Sequence, residues 1–400
     1  MLSKERKPKI VKTLGVVLLA LVALGVLAVG IFLAINVNFS NPEDLKAFLD
    51  TKMKKLDLAG LAFAVVEGDT PVEFHSYGYA DLVEERPITE DTLFQMASVS
   101  KTVTGTAVMQ LSDRGRIDID EDINTYLPFD VKNPSHPNKA ITTRMLLTHT
   151  SSIIDNWDVY DSFYTIDAGG GDPTVSLADF NRGYLTKDGE YYDAELNFSA
   201  KVPGTYYKYS NCGYGLLGYL VECVSGTDFN IYCTENIFTP LGMDSTRWFL
   251  EEIDLDRLAK PHEGEKALPY YGFATYPDGC LRTSAGDYSR FLSMFMHQGT
   301  LGNVKILEES TVAEMLKPQV RDLNENQGLT WDLKVPEEIF ITCDSYVYGH
   351  SGGDPGVSTM VMFNQDIKKA AILLINSDVE MKELITYRQI VKRMVEEISE

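Results

Sequence analysis

The chain has 400 residues, 58 acidic side chains against 36 basic ones, and a formal net charge of −22. At 44% hydrophobic and 24% charged it has a globular composition, which excludes disordered, collagen-like and disulfide-stapled classes. The acid excess also excludes a nucleic-acid binder, because neutralising phosphates requires a basic face.

The charge is unevenly spread. Residues 1–36 carry Lys4, Arg6, Lys7, Lys9 and Lys12 against Glu5, a local +4 that leaves −26 for residues 37–400 out of the total of −22. After this basic tail (1–13) comes an apolar run without charge, Leu14 to Ile35. Its 22 residues would make a helix of about 33 Å, enough for a hydrocarbon core of about 30 Å. Residues 14–36 are therefore expected to be a transmembrane signal-anchor, with the basic end cytoplasmic and the body outside. A cleaved signal peptide is the competing reading, and both export the body.

Residues 37–43 are expected to be a linker. An amphipathic helix should begin at Asp44, followed by strands over 58–68 and 71–82 around a Gly-Asp turn. From Ser98 the apolar spacing becomes helical and stops at Gly115. A middle of helices and loops follows, then helices over 285–299 and 308–318. The chain ends with two strands, 357–365 and 368–378, and a helix over 379–398. Strands at both ends imply a mixed α and β fold: an antiparallel sheet flanked by helices, with an all-helical subdomain inserted at roughly 106–264. Cys212, Cys223, Cys233, Cys280 and Cys343 show neither C-x-x-C nor zinc spacing, so thiols packed in a core are expected, with a Cys223–Cys233 bridge left open. No metal or other cofactor is expected.

Three short motifs carry chemistry. In "SVSK", Ser98 and Lys101 are three residues apart and share a helix face, so the amine can take the proton that makes the hydroxyl nucleophilic. The plain alternative is Ser98 as a helix cap. In "YSN", the Tyr209 phenol can relay a proton and the Asn211 amide can orient a lysine or a carbonyl, unless Asn211 merely caps a helix. In "HSGG", Gly352 and Gly353 allow close backbone approach and an oxyanion-binding N–H, with His350 as a titratable neighbour. Here the plain alternative is a bulged strand entry with a surface histidine.

Taken together and in this order, the motifs resemble those of the penicillin-recognising serine hydrolases, the β-lactamase and penicillin-binding-protein-like family. The closest likeness is to its class C β-lactamase-like branch, which includes esterases, D-aminopeptidases and D,D-peptidases. Flanking segments such as "GYAD" at 78–81, "MLLTHTSS" at 145–152 and "GCLRTSAGDYSRFL" at 279–292 share the resemblance. It covers roughly residues 45–395, so 44–400 is expected to be one hydrolase domain. The resemblance implies that Ser98 is acylated, that Lys101 and Tyr209 transfer protons, and that Asn211 positions Lys101 and substrate. It implies an oxyanion hole from the N–H groups of Ser98 and Gly353.

His350 stands where many relatives carry lysine. Only partly charged near neutral pH, it should anchor a carboxylate weakly. The expected activity is hydrolysis of small esters or D-amino-acid-containing peptides. A D,D-peptidase or β-lactamase is the enzymatic alternative; a slowly acylating sensor or an inactive membrane scaffold is the other. Ser152 stands where relatives commonly have glycine. "DAELN" at 193–197 is a chance match to a deacylating loop, since it precedes the second motif. His149 is expected to order a loop; His75, His136, His262 and His297 have no assigned role. The Tyr-, Asp- and Gly-rich stretch 155–200 is either a solvated loop or a pocket rim. Asn38 and Asn197 begin glycosylation sequons that matter only in a eukaryotic host. The expected partners are a small-molecule or peptide substrate and the membrane; the oligomeric state stays open.

Overall fold

The computed structural model describes residues 44–68, 70–339, 341 and 346–399. The expected tail, anchor and linker (1–43) and Cys343 lie outside these residues. Among the described residues, no helix is long and apolar enough to cross a membrane.

In chain order the elements that place the site are α1 (Leu45–Met53), β1 (Gly60–Glu67), β2 (Thr70–Asp81), β3 (Arg86–Pro87) and α2 (Ser100–Asp113). Then come α3 (Leu177–Leu185), α4 (Asn211–Ser225), α5 (Ala285–Met296), β4 (Tyr348–Asp354), β5 (Val357–Asn364), β6 (Lys369–Ile375) and α6 (Leu384–Glu397). Asp44 starts α1 by accepting the Ala47 N–H at 2.9 Å, satisfying one of the N–H groups that a helix start leaves unpaired.

The strands form one six-stranded sheet in the order β4-β5-β6-β1-β2-β3, with every neighbouring pair antiparallel. First and last parts of the chain meet at its centre, where Phe63 pairs with Leu373 and Ala64 with Ile372. Both strands are buried on both faces, as their near-continuous apolar sequences require. Side-chain alternation divides them between two cores. Ala62, Ala64, Val66, Ile372 and Leu374 face the core that includes Phe291, Leu292 and Phe295 of α5. Leu61, Phe63, Val65, Leu373 and Ile375 face Leu45 and Leu49 of α1 and Ile390, Val391 and Met394 of α6.

Residues 114–261 form the helical part beside this sheet, and α4 packs against both α2 and α3. Every residue of α2 from Ser100 to Leu111 is buried, so this helix runs through the interior. The last helix begins five residues later than its pattern suggests. The Glu383 carboxylate accepts the N–H groups of Asp57 (3.0 Å) and Glu380 (2.9 Å), holding the preceding turn out of helical conformation. Cys212, Cys223, Cys233 and Cys280 are free thiols, which removes the Cys223–Cys233 bridge.

Candidate active site

A short strand, Phe94–Gln95, pairs with Arg282–Thr283 and delivers the chain to a single 3-10 turn, Ala97–Val99. Ser98 lies in that turn, two residues before α2 begins at Ser100, and not within the helix. Met96 N–H donates to Leu281 O at 2.8 Å, and Leu281 N–H donates to Ser100 Oγ at 3.1 Å, so the turn is held from both sides. Ala97 has φ +47°, a left-handed conformation that costs an L-residue energy and often marks functional sites.

Lys101 extends from the first turn of α2, fully buried. Its Nζ donates to Ser98 Oγ at 3.0 Å and to the Asp278 carbonyl at 2.8 Å. The Asp278 carboxylate stands 3.7 Å away, and the rings of Tyr209 and Tyr214 lie 5.1 and 5.7 Å from the nitrogen. Burial pushes the Lys101 amine below its ordinary value, opposed by the negative charges of Asp278, Asp354 and Asp155. Burial pushes the Tyr209 phenol well above its own, with Ser98 as a hydrogen-bonding neighbour acting in the other direction. The two groups are thus displaced oppositely, the amine toward its basic form and the phenol toward its acidic form.

Tyr209 precedes α4, and Ser210, not Asn211, is the cap: its Oγ accepts the Gly213 N–H at 3.0 Å. Asn211 opens the helix. Its backbone N–H donates to Asp155 at 2.9 Å, and Asp155 also accepts from the Cys212 N–H and the Ser210 hydroxyl, each at 3.0 Å. The expectation that Asn211 positions Lys101 meets a different arrangement, since the Lys101 hydrogen bonds run to Ser98 and Asp278.

The third motif lies on β4, at the sheet edge. Gly349 exchanges both backbone hydrogen bonds with Asp332, each at 3.0 Å, on the side away from β5. Alternation along the strand turns the Gly353 N–H to that same outer side. A Cβ on Gly352 would stand 2.7 Å from Met96 O and 3.0 Å from Ser98 N, so glycine is required for the strand to cross the Ser98 turn this closely. A Cβ on Gly353 would meet only open space.

His350 is buried, and its Nδ1 lies 2.6 Å from the Ser351 carbonyl. A carbonyl only accepts, so Nδ1 carries the proton in the neutral ring and Nε2 is left as an acceptor. Burial and the Lys101 charge lower its pKa to about 4. The expected partly charged histidine is thereby corrected: at neutral pH the ring is uncharged, because burial and the nearby Lys101 charge both disfavour its protonated form.

These groups surround a cavity of about 300 Å³, walled by Ser98, Tyr209, His350, Gly352 and Gly353 together with His149 and Thr330. His149 accepts the Ser210 N–H on Nδ1 at 3.1 Å and stacks on Tyr209 at 4.3 Å. It orders a loop and also forms part of the wall. His149 (φ +56°), Ser152 (φ +71°) and Thr330 (φ +73°) share the left-handed backbone of Ala97. For Ser152 this supplies a physical reason for glycine in relatives.

Sequence reasoning missed Asp278, Asp354, Tyr160 and Thr330. Asp278 immediately precedes the family-like segment at 279–292. It is a buried carboxylate that no local pattern marks. From the stretch 155–200, Tyr160 donates to Asp278 at 3.0 Å and Tyr164 donates to Asp354 at 2.8 Å, so part of that stretch reaches the site's interior.

Residues 45–392 match the family model described as Beta-lactamase. Penicillin-binding protein 4* of Bacillus subtilis (strain 168) is 25% identical over 379 residues, covering 89% of this chain and 75% of the relative. Penicillin-binding protein 4 of Amycolatopsis lactamdurans is 27% identical over 242 residues, covering 58% of each chain. Among solved structures, a penicillin-binding protein from Bacillus halodurans superposes with a TM-score of 0.66 at 25% identity, covering 86% of this chain and 98% of its own. A D-amino acid amidase from Ochrobactrum anthropi SV3 has the same TM-score at 22% identity, covering 88% and 96%, a likeness of fold.

Proposed function

Because this chain belongs to the beta-lactamase family of serine hydrolases, we propose that it is a membrane-tethered, extracytoplasmic hydrolase that forms an acyl-enzyme on Ser98. The observation that carries this reading is the 3.0 Å contact between the Oγ of Ser98, which lines a cavity, and the amine of the buried Lys101. Ser98 Oγ attacks the substrate carbonyl while Lys101 takes its proton. The N–H groups of Ser98 and Gly353 receive the oxyanion, and the proton returns to the leaving alcohol or amine through Tyr209. Water then breaks the acyl bond by the reverse route. The substrates are small esters or D-amino-acid-containing amides and peptides. The neutral His350, whose free nitrogen accepts and does not donate, supports these over carboxylate-bearing β-lactams. The similarity of fold to a D-amino acid amidase is compatible with this class.

Labelling intact cells with a membrane-impermeant fluorophosphonate tests site and topology together. The full chain should carry the label in the membrane fraction, and Ser98→Ala should not. Equal labelling of Ser98→Ala would refute the nucleophile; labelled protein released to the medium would refute the anchor. Steady turnover of a p-nitrophenyl ester is expected of an enzyme, whereas a single stoichiometric burst would identify a sensor.

A further inference from the structure

Beside Lys101 lies a carboxylate, Asp278, that the three motifs do not include and that is not part of the cavity wall. Asp278 is 2% exposed. Burying a carboxylate this completely is costly unless it is paired and hydrogen-bonded. Its Oδ1 is 3.7 Å from Lys101 Nζ and accepts the Tyr160 hydroxyl at 3.0 Å, while its backbone carbonyl accepts directly from Nζ at 2.8 Å. One residue therefore both aims the lysine, through its carbonyl, and sets its electrostatic surroundings, through its carboxylate. Tyr160 is itself buried and packed edge-on against Trp157 and Tyr164, so Asp278 is held by a rigid donor.

We propose that Asp278, oriented by Tyr160, is a positioning residue that controls the protonation of Lys101 and so places the pH range in which Ser98 is acylated. The proposal rests on the reading of Ser98 as the acylated group. The other charged and titratable groups around Nζ are Asp354 at the end of β4, the loop residue Asp155 that accepts from the start of α4, the phenols Tyr209 and Tyr214, and the imidazoles of His149 and His350. Among the described residues, Asp278 is the carboxylate within ion-pair distance of Lys101. Burial raises its own carboxyl to about 6, with Lys101, Thr275 and Tyr160 acting to lower it and the Asp155 charge acting with burial. Removing its negative charge destabilises the protonated amine, so Lys101 becomes basic at lower pH. The same charge raises the Tyr209 phenol, so its loss lowers that group as it lowers the Lys101 amine.

The test uses the full chain and a fluorophosphonate probe, following the second-order rate of Ser98 labelling against pH. Asp278→Asn keeps the shape and the backbone carbonyl but loses the charge. Its acid limb should move to lower pH by about one to three units, with full labelling still reached at saturation. An acid limb coincident with that of wild type would overturn the proposal. If Asp278→Asn does not fold, Tyr160→Phe is the second variant: it raises the Asp278 carboxyl and should give a smaller shift in the same direction, and coincidence there would also overturn it. If wild type itself does not label at Ser98, the functional reading fails and this proposal with it. Wild-type labelling with unmoved variants sinks the role of Asp278 alone.

Discussion

At the scale of single residues, the site depends on how burial treats groups of opposite chemistry. Lys101, Tyr209 and His350 are all pushed toward their uncharged forms, because a low-dielectric surrounding penalises whichever form is ionised. Uncharged, Lys101 is a base, Tyr209 a proton donor, and His350 an acceptor that does not attract an anion. His350→Lys tests the last point. An ammonium at this position should raise kcat/KM for a carboxylate-bearing substrate over its neutral ester by about tenfold, equivalent to ~1.4 kcal/mol. No change in that ratio would show that position 350 does not read the carboxylate. In wild type, a gain in carboxylate binding from His350 protonation should emerge only as pH falls toward about 4.

At the scale of elements, the catalytic candidates sit on segment ends clamped to one another. The Ser98 turn is held between β4 and the Phe94–Gln95 strand, with Thr359 Oγ donating to Met96 O at 2.8 Å. Helix α2 is fixed by a close approach at Gly105, where a Cβ would stand 2.0 Å from Thr330 Oγ1. Thr330 accepts the Tyr214 hydroxyl at 3.1 Å and lines the cavity, so an intrusion at Gly105 is transmitted to the wall. Gly105→Ala should destabilise the fold by about 1–3 kcal/mol and slow Ser98 labelling. Adding Thr330→Gly, which removes the clashing side chain and suits the left-handed backbone there, should restore most of the lost stability. Urea midpoints of the single and double variants measure both effects; independent, additive losses would refute the coupling.

At the scale of the whole molecule, stability and function share the same buried acids. Burial raises the Asp354 carboxyl to about 7 in the folded protein, whereas the unfolded chain releases that proton near its ordinary value of about 4. The native state therefore holds more protons between these values, and this contribution to stability is full at low pH and lost as pH rises toward 7. His350, with its pKa lowered, acts with the opposite sign below its ordinary range, so the net pH profile mixes both effects. The difference between wild type and Asp354→Asn isolates one of them. The variant, whose amide oxygen can still accept from Tyr164, should gain about 1–3 kcal/mol relative to wild type as pH climbs from about 5 to 8. A pH-independent difference in urea midpoints would refute this.

Much was legible from order along the chain. Alternation and apolar runs marked β1, β2, β5, β6 and the helices α1, α2 and α5, because a two-faced strand or a buried helix must repeat its apolar residues at the period of its backbone. The three motifs were legible because a nucleophile and its base can lie one helical turn apart, and because close backbone approach demands glycine. What the sequence determined by itself was therefore the family, the strand-helix-strand plan and the candidates Ser98, Lys101 and Tyr209. Only the tertiary structure decided that Ser210 caps α4, that Lys101 bonds to Asp278, that the His350 ring is neutral, and that Tyr160 reaches the interior. Each of these depends on burial and on partners distant in the chain (Lys101 and Asp278 are 177 residues apart). Desolvation and charge act through space, and no local pattern records them.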